Sequence, residues 1–297
     1  MSAARRLARA LATVAGVLML GAALQELAPG DALTDLSGHT HLSQAERDRL
    51  RHRYGLDRPA ALRWGAWLQG ALRGDPGFSI AYQRPVGDLV WPRWRRTAAV
   101  GGLAFLLAWG TALPLAAAAA LRRAAPWRLG LNAVNRILLA LPALALAPLV
   151  LAAMLVAGGD GFGLIGPVVV LALVEGARAL PALEQSIQTG LERPFVLAAR
   201  ARGRGMAGVL LGHVLRAELP ALLSLAALAV AHLLTGSVIV EATFGYPGLG
   251  SLALEAVVAR DPHLLITTFG VVAATVVGAN LAADSAAAAL AHAGSVS

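Results

Sequence analysis

Ionisable and amide side chains interrupt several long apolar runs of this sequence. They are Glu175, Arg178, His232, Asn280 and Asp284. A polar group inside an apolar helix is costly, so it is usually paired or used in function. Glu175 and Arg178 are three residues apart, so on a helix they share a face and could neutralise each other. Two interpretations stay open: an internal pair, or a path for a solute lined by Glu175, His232 and Asn280.

A basic stretch between two apolar runs is the second distinctive feature. It reads PFVLAARARGRGMAGVLLGHVLRAELP over residues 194–220. Its arginines could contact an acidic protein surface or lipid headgroups, and its small residues would let another surface approach closely. A glycine in its centre suits a turn that a residue with a Cβ atom resists. The pattern predicts a short helix–turn–helix that binds a partner. The candidate contact residues are Ala198, Ala199, Arg200, Arg202, Gly203 and Arg204.

Two short sequence patterns resemble ligand-binding motifs. GFGLIG at residues 161–166 matches a nucleotide-binding fingerprint, but that motif needs a preceding strand, and apolar runs flank this one. A tight hairpin is the better interpretation.

His39, His41 and His52 have donor types that suit nickel or zinc, although ordinary surface histidines are the commoner case. The chain has no cysteine, H-E-x-x-H, G-x-S-x-G or Walker A sequence. We therefore expect no catalytic residue, no metal site and no cofactor bound by this chain.

The composition indicates a membrane protein. Of 297 residues, 57% are hydrophobic and only 14% are charged, and the mean hydropathy is +0.65. A soluble domain carries about 25% charged residues. The net charge of +8 comes from arginines that lie mostly beside apolar runs, which favours membrane topology over nucleic-acid binding as its explanation.

Six apolar runs are long enough to cross a bilayer, which needs roughly 20 residues. The predicted spans are 7–28, 97–121, 130–157, 163–183, 218–240 and 264–290. The first follows three arginines, as a signal peptide would, but no convincing cleavage site follows it. We interpret it as a retained span.

Arginines in the short loops predict the orientation. They cluster in the N-terminal tail and in the loops after the second and fourth spans, whereas the loop around Asp160 has none. Both termini and the basic stretch are therefore predicted to be cytoplasmic. Segment 29–96 has eleven arginines on the opposite side, but a loop of that length translocates largely regardless of charge.

The long outer segment is predicted to be an ordered cap. Ser43 and Glu46 have the spacing of a capping box, ALRWGAWLQGAL reads as a short amphipathic helix, and RGDPGFS contains turn residues. The predicted organisation is residues 1–28 as tail and first span, 29–96 as extracytoplasmic cap, and 97–297 as a five-helix core with a cytoplasmic loop at 184–217.

These residues resemble the permeases of ABC importers, and most closely the first permease subunit of the dipeptide, oligopeptide and nickel importers. VLAARARG with VLLGHVLRAELP resembles their coupling loop, and LAPGDAL with YGLDRPAALRWGAWLQGALRGDPGFSIAYQRPV resembles their outer segment. TGSVIVEATFGYPGLGSLALEAVVARD resembles the segment after their fifth span, where Glu241, Phe244, Pro247, Gly248 and Gly250 form the expected structural turn. The resemblance covers nearly the whole chain.

Several features depart from the family pattern. Pro194 replaces an acidic residue, Pro181 stands where arginine is common, and the basic C-terminal ending is missing. The resemblance still implies an all-α integral membrane protein with six transmembrane helices of the type I importer kind. In such a protein the coupling loop acts as a lever, and Leu210, Leu211 and Val214 would anchor the helix that follows it.

The resemblance implies one role and a defined set of partners. The chain would be a non-enzymatic permease subunit that forms half of a pore in the cell membrane. A second permease, two ATPase subunits and an extracytoplasmic solute-binding protein would complete the importer, and ATP and Mg would bind the ATPase subunits. Peptides are the expected cargo, with nickel or other metal chelates and glutathione as alternatives. A secondary transporter is the alternative from another class, but such proteins show repeated halves, and this sequence has no clear repeat.

Overall fold

Long apolar helices dominate the structure, a computed structural model that describes residues 3–27, 49, 52, 57–122, 126–158 and 163–295. In chain order the elements are α1 (Ala3–Leu27), α2 (Ala60–Leu72), β1 (Phe78–Ser79), β2 (Arg84–Pro85), α3 (Val86–Leu121), α4 (Trp127–Ala140), α5 (Ala143–Val156), α6 (Ile165–Leu191), α7 (Pro194–Ala201), α8 (Met206–Val209), a π-helical turn (Leu210–Val214), α9 (Leu215–Thr243), α10 (Leu249–Val258) and α11 (Pro262–Ser295). The two strands form a small antiparallel hairpin.

The predicted all-α membrane class is confirmed. Five helices among the described residues are long and apolar enough to cross a membrane, and there are six spans if one bent helix pair counts as a single span. The helices are longer than the predicted spans. In particular, α3 begins at Val86, eleven residues before the predicted start, because the chain turns directly from the hairpin into the helix.

The predicted third span, 130–157, is wrong as a single helix. It consists of α4 and α5, which are bent by 106° at a short break. Leu141 has an extended backbone and Pro142 precedes α5. A residue before proline disfavours the helical conformation, and proline has no N–H to donate. Pro142 therefore explains the break, which apolar content alone does not reveal.

The described residues cluster into two units. The first contains residues 1–97 and 247–277, and the second contains 98–246 and 278–297. The sequence-based division at 28 and 96 followed the course of the chain, so it did not group residues 247–277 with the N-terminal part.

In the first unit, α3 packs against α10 and the start of α11. Val86, Val90, Leu249, Leu252 and Leu264 are buried together. Within the same unit α1 approaches α11 closely, because a Cβ atom at Gly270 would lie 3.1 Å from Leu18. These contacts place the hairpin and α10 in one packed structure.

In the second unit, α9 packs mainly against α6, and both contact α5. Alanines at every fourth position of α3 are buried on one face: Ala104, Ala108, Ala112, Ala116 and Ala120. Small residues let membrane helices approach each other closely. The loop predicted at 184–217 is therefore carried by closely packed helices.

The described part of the predicted cap is ordered. The helix predicted from ALRWGAWLQGAL is confirmed as α2. The turn that follows has Gly74 and Gly77 with φ of +90° and +93°, and Gly77 N–H donates to the Asp75 carboxylate at 3.0 Å. Ser43 and Glu46, the predicted capping box, lie outside the described residues.

Gly166 of α6 lies directly against Phe244 in the second unit. A Cβ atom there would lie 2.1 Å from Phe244 Cε1, and Phe244 is fully buried. Gly166→Ala should therefore destabilise the protein by about 1–3 kcal/mol, the range for overpacking, and lower the thermal unfolding midpoint in detergent. Gly110→Ala is the matched control, because nothing lies within 4 Å of its Cβ position. Equal midpoints for the two variants would contradict this packing.

Candidate functional site

The basic stretch forms a compact segment between two membrane helices. Because α6 continues through Leu191 and α9 begins at Leu215, the segment is shorter than the predicted 184–217. It contains α7, a four-residue turn, α8 and the π-helical turn. We call residues 192–214 the coupling segment. The predicted helix–turn–helix is confirmed; the π-helical turn was not predicted.

One face of the coupling segment is buried in the second unit. Val196 and Ala199 of α7 pack in one cluster with Leu183 and Ile187 of α6. Leu210 and Val214 join this cluster, as expected for anchors, but Leu211 is 69% exposed. Helical periodicity explains this difference, since Leu210 and Val214 are four residues apart and share a face.

The opposite face of the coupling segment is exposed. Ala198, Arg200, Arg202 and Arg204 lie on it, so their side chains are free to meet a second surface. Ala199 is completely buried. It packs on the buried face of α7 with Val196, so it does not contribute to the exposed face. Leu197, which the sequence reasoning overlooked, is 70% exposed and adds an apolar contact beside the arginines.

A glycine ends α7 in the way the sequence predicts. Gly203 has φ +80°. Arg204 N–H donates to Ala199 O at 3.3 Å, and Gly203 N–H donates to Arg200 O at 2.9 Å. These are the two hydrogen bonds of a Schellman motif, which favours glycine at its left-handed position. The exit direction of the chain from α7 therefore depends on Gly203.

An ion pair connects the start of the coupling segment to the helix that follows it. Arg193 Nη2 lies 2.6 Å from Glu218 Oε1. Arg193 immediately precedes α7, and Glu218 is in the first turn of α9. Sequence reasoning missed this pair because its members are 25 positions apart and only the fold brings them together.

The buried carboxylate of Glu175 lies beside His232 in the second unit. His232 Nδ1 is 3.4 Å from Glu175 Oε2, and their side chains are 35% and 5% exposed. Together with Trp109 they line a cavity of about 50 Å³. The predicted partner Arg178 also lines it, but its side chain is largely exposed. The contact joins α6 to α9 and is an ion pair when His232 is protonated.

The third candidate pathway residue lies on another helix. Asn280 is an exposed residue of α11 in the second unit, whereas Glu175 and His232 come together on α6 and α9. The structure thus pairs two of the three predicted residues with each other.

The turn after α9 is a second Schellman motif. Tyr246 N–H donates to Glu241 O at 2.8 Å, and Gly245 has φ +60°. Glu241 and Phe244, two of the five predicted turn residues, are both fully buried. Gly245, which the prediction omitted, is the residue whose backbone conformation ends the helix.

The other three predicted turn residues belong to the first unit. Gly248 precedes α10 and Gly250 lies buried in its first turn, whereas Pro247 is exposed. Leu249 N–H donates to Thr97 Oγ1 at 2.7 Å. This hydrogen bond ties the start of α10 to α3.

A buried aspartate organises the hairpin of the first unit. Asp261 accepts hydrogen bonds from Ser79 Oγ at 2.7 Å and from Ala81 N–H at 3.1 Å. Its other oxygen accepts from Leu264 N–H at 3.1 Å, which caps the start of α11. The three bonds compensate the burial of the charge.

A tyrosine and an ion pair hold α10 in the same unit. Arg93 Nη1 donates to Glu255 Oε1 at 3.1 Å, and Tyr82 donates its hydroxyl proton to the same carboxylate. Burial and this hydrogen bond raise the pKa of Tyr82 to about 12. The hydroxyl therefore remains a donor at neutral pH.

An aromatic pocket lies beside α2. Trp64 and Trp67 pack edge to face and, with Arg58, Arg63 and His263, line a cavity of about 260 Å³. Aromatic and arginine side chains are the types enriched at protein interfaces. This pocket makes α2 a candidate docking surface.

Only one of the three histidines of the possible metal site lies within the described residues. His52 Nδ1 lies 2.5 Å from Asp57 Oδ2, and His39 and His41 lie outside the described residues. Within the described part of the chain, no group of three metal-ligating side chains comes together.

Known proteins resemble this chain over most of its length. Residues 112–293 match the family described as binding-protein-dependent transport system inner membrane component. The chain is 28% identical over 299 residues to the oligopeptide transport system permease protein AppB of Bacillus subtilis, covering 94% of each chain. It is 27% identical over 274 residues to the oligopeptide transport system permease protein OppB of Escherichia coli, covering 89% of each.

Proposed function

This chain belongs to the family of binding-protein-dependent transport system inner membrane components, and on that premise we propose that it forms half of the pore of an ATP-driven peptide importer. It is a multi-pass protein of the inner membrane. A second, similar permease would supply the other half of the pore, and an extracytoplasmic solute-binding protein would deliver the peptide.

The coupling segment is the observation that carries this proposal. Its apolar face is packed into the membrane helices, while Ala198, Arg200, Arg202 and Arg204 are exposed. A segment held in this way can transmit a movement of a bound protein to α6 and α9. We assign the exposed face to two cytoplasmic ATPase subunits, which bind ATP and Mg and perform the hydrolysis. We propose that the permease itself contributes no catalytic residue.

Peptides are favoured as the cargo by the relatives, which are named as oligopeptide permeases. A metal-chelate or glutathione permease would have the same architecture, but no relative reported above has such a name. Membership in a binding-protein-dependent family argues against the secondary-transporter alternative. The ordered part of the outer segment, with the aromatic pocket beside α2, is assigned to the docking of the binding protein.

We propose that both termini and the coupling segment are cytoplasmic, as the arginines of the short loops predict, and the bent pair α4–α5 makes this orientation testable. If the pair crosses the membrane once, residues 122 and 205 lie on one side and residue 158 lies on the other. If it re-enters on the same side, residue 205 changes sides. Reporter fusions should be cytoplasmic at 122 and 205 and extracytoplasmic at 158. An extracytoplasmic reporter at 205 would contradict the six-span topology.

Gly203 allows coupling to be tested without disrupting the membrane helices. Gly203→Asp forces a side chain into φ +80°, which costs on the order of 1 kcal/mol or more, and adds a charge facing the ATPase. It should reduce transport at least tenfold while membrane insertion is unchanged. Transport assays of the assembled importer, with immunoblots of the membrane fraction, measure both.

Gly205 supplies the matched control. Its φ is −63° and nothing lies within 4 Å of its Cβ position, so Gly205→Ala adds no backbone strain, whereas Gly203→Ala adds the strain without a charge. Gly203→Ala should reduce transport more than Gly205→Ala. Normal transport by Gly203→Asp would contradict the coupling assignment.

Single cysteines can test the pathway in this naturally cysteine-free chain. Because peptides present amide groups and end charges, the pathway needs polar residues, and we assign His232 and Asn280 to it, with Glu175 behind His232. His232→Cys and Asn280→Cys should react with a water-soluble thiol reagent in at least one stage of the ATP cycle. Ser237→Cys, at a buried position of the same helix as His232, should remain protected. If neither of the first two reacts in any stage, these residues do not line the pathway.

A further inference from the structure

The ion pair between Arg193 and Glu218 has an asymmetric environment. The Glu218 side chain is 6% exposed, whereas that of Arg193 is 47% exposed. The buried carboxylate is therefore held by the protein, and the arginine reaches it from the segment boundary. Arg193 itself has an extended backbone, with φ −70° and ψ 144°, so it lies at the hinge between α6 and α7.

A close helix contact fixes the position of the carboxylate. At Gly190 of α6 a Cβ atom would lie 2.8 Å from Glu218 Cγ and 2.6 Å from Val214 Cγ1. Ser186, one turn earlier, has its hydroxyl 3.3 Å from Glu218 Oε2 and donates to it. Because α6 leaves so little room at Gly190, the Glu218 side chain has few alternative positions on that side.

Apolar packing and this ion pair hold α7 in different ways. The contacts of Val196 and Ala199 are non-directional, so α7 could rotate or slide and still bury them. An ion pair weakens as its two charges separate. The pair therefore limits the distance between the start of α7 and the first turn of α9, which the apolar contacts alone leave adjustable.

We propose that Arg193 and Glu218 are positioning residues for transport: they clamp the start of α7 to the first turn of α9, so that a movement imposed on α7 is passed to α9. This rests on the proposed function in assigning the movement to an ATPase. The clamp has a mechanical role, and neither side chain contacts the transported solute.

The geometric part of the proposal can be tested on the purified chain. Arg193→Gln should increase amide hydrogen exchange of residues 196–201 about tenfold, the effect of leaving one buried acceptor without its partner, while exchange in α3 stays unchanged. Arg193→Lys should restore much of the protection. Arg136→Glu, which alters an exposed charge of α4, should leave the exchange of α7 unchanged. Wild-type exchange in Arg193→Gln would overturn the clamp whether or not the chain is an importer.

The functional part uses the complete importer with its ATPase subunits and binding protein. Arg193→Gln and Glu218→Gln should each lower the number of solute molecules imported per ATP at least fivefold. The double variant should be no worse than either single variant, because all three lack the same contact. The clamp would be overturned if the fold-reductions of the two single variants multiplied in the double variant. It would also be overturned if import fell only in proportion to the amount of assembled complex.

The controls separate this inference from the proposed function. Wild-type protein that neither binds an ATPase nor imports any solute would refute the proposed function. A wild-type importer whose ratio of import to hydrolysis survives both Gln substitutions would refute the clamp alone.

Discussion

The packing of the coupling segment against α6 is the contact on which the functional account depends. Val196 and Ala199 share a buried cluster with Leu183 and Ile187. A loop attached only at its two ends would absorb an applied force by bending, because loops are the more mobile parts of a fold. Since Val196 and Ala199 of α7 are buried in the core, a force on its exposed arginines would, in the proposed function, reach the membrane helices directly.

Lipid imposes a second constraint, which is that buried polar groups need partners. Two buried carboxylates have such partners: Glu218 has the charge of Arg193 and the hydroxyl of Ser186, and Asp261 has the hairpin and the start of α11. Glu175 differs, because His232 approaches it only to 3.4 Å and a small cavity lies beside the two. A polar pair that is incompletely satisfied inside the membrane is where a functional role is expected.

Hydropathy and turn chemistry predicted much of the architecture. Runs such as 97–121 had to be helices, because a bilayer offers the backbone no other hydrogen bonds. The turn at Gly203 was predicted because a left-handed backbone conformation favours glycine.

Other features could not be predicted from the sequence. The bend at Leu141–Pro142 was overlooked because the apolar run continues through it. The Arg193–Glu218 pair and the fit of Gly166 against Phe244 depend on helix packing, and no spacing along the chain encodes them. For the same reason Ala199 was assigned to the wrong face of α7.

Contact between the exposed face of α7 and an ATPase is the central claim, and site-specific cross-linking tests it most directly. A single cysteine at Ala198 in this cysteine-free chain can carry a short photoactivatable cross-linker in the assembled importer. The account predicts a covalent product with the ATPase subunit from Ala198→Cys and none from a cysteine at Gly158. A product with the ATPase from Gly158→Cys and none from Ala198→Cys would contradict it.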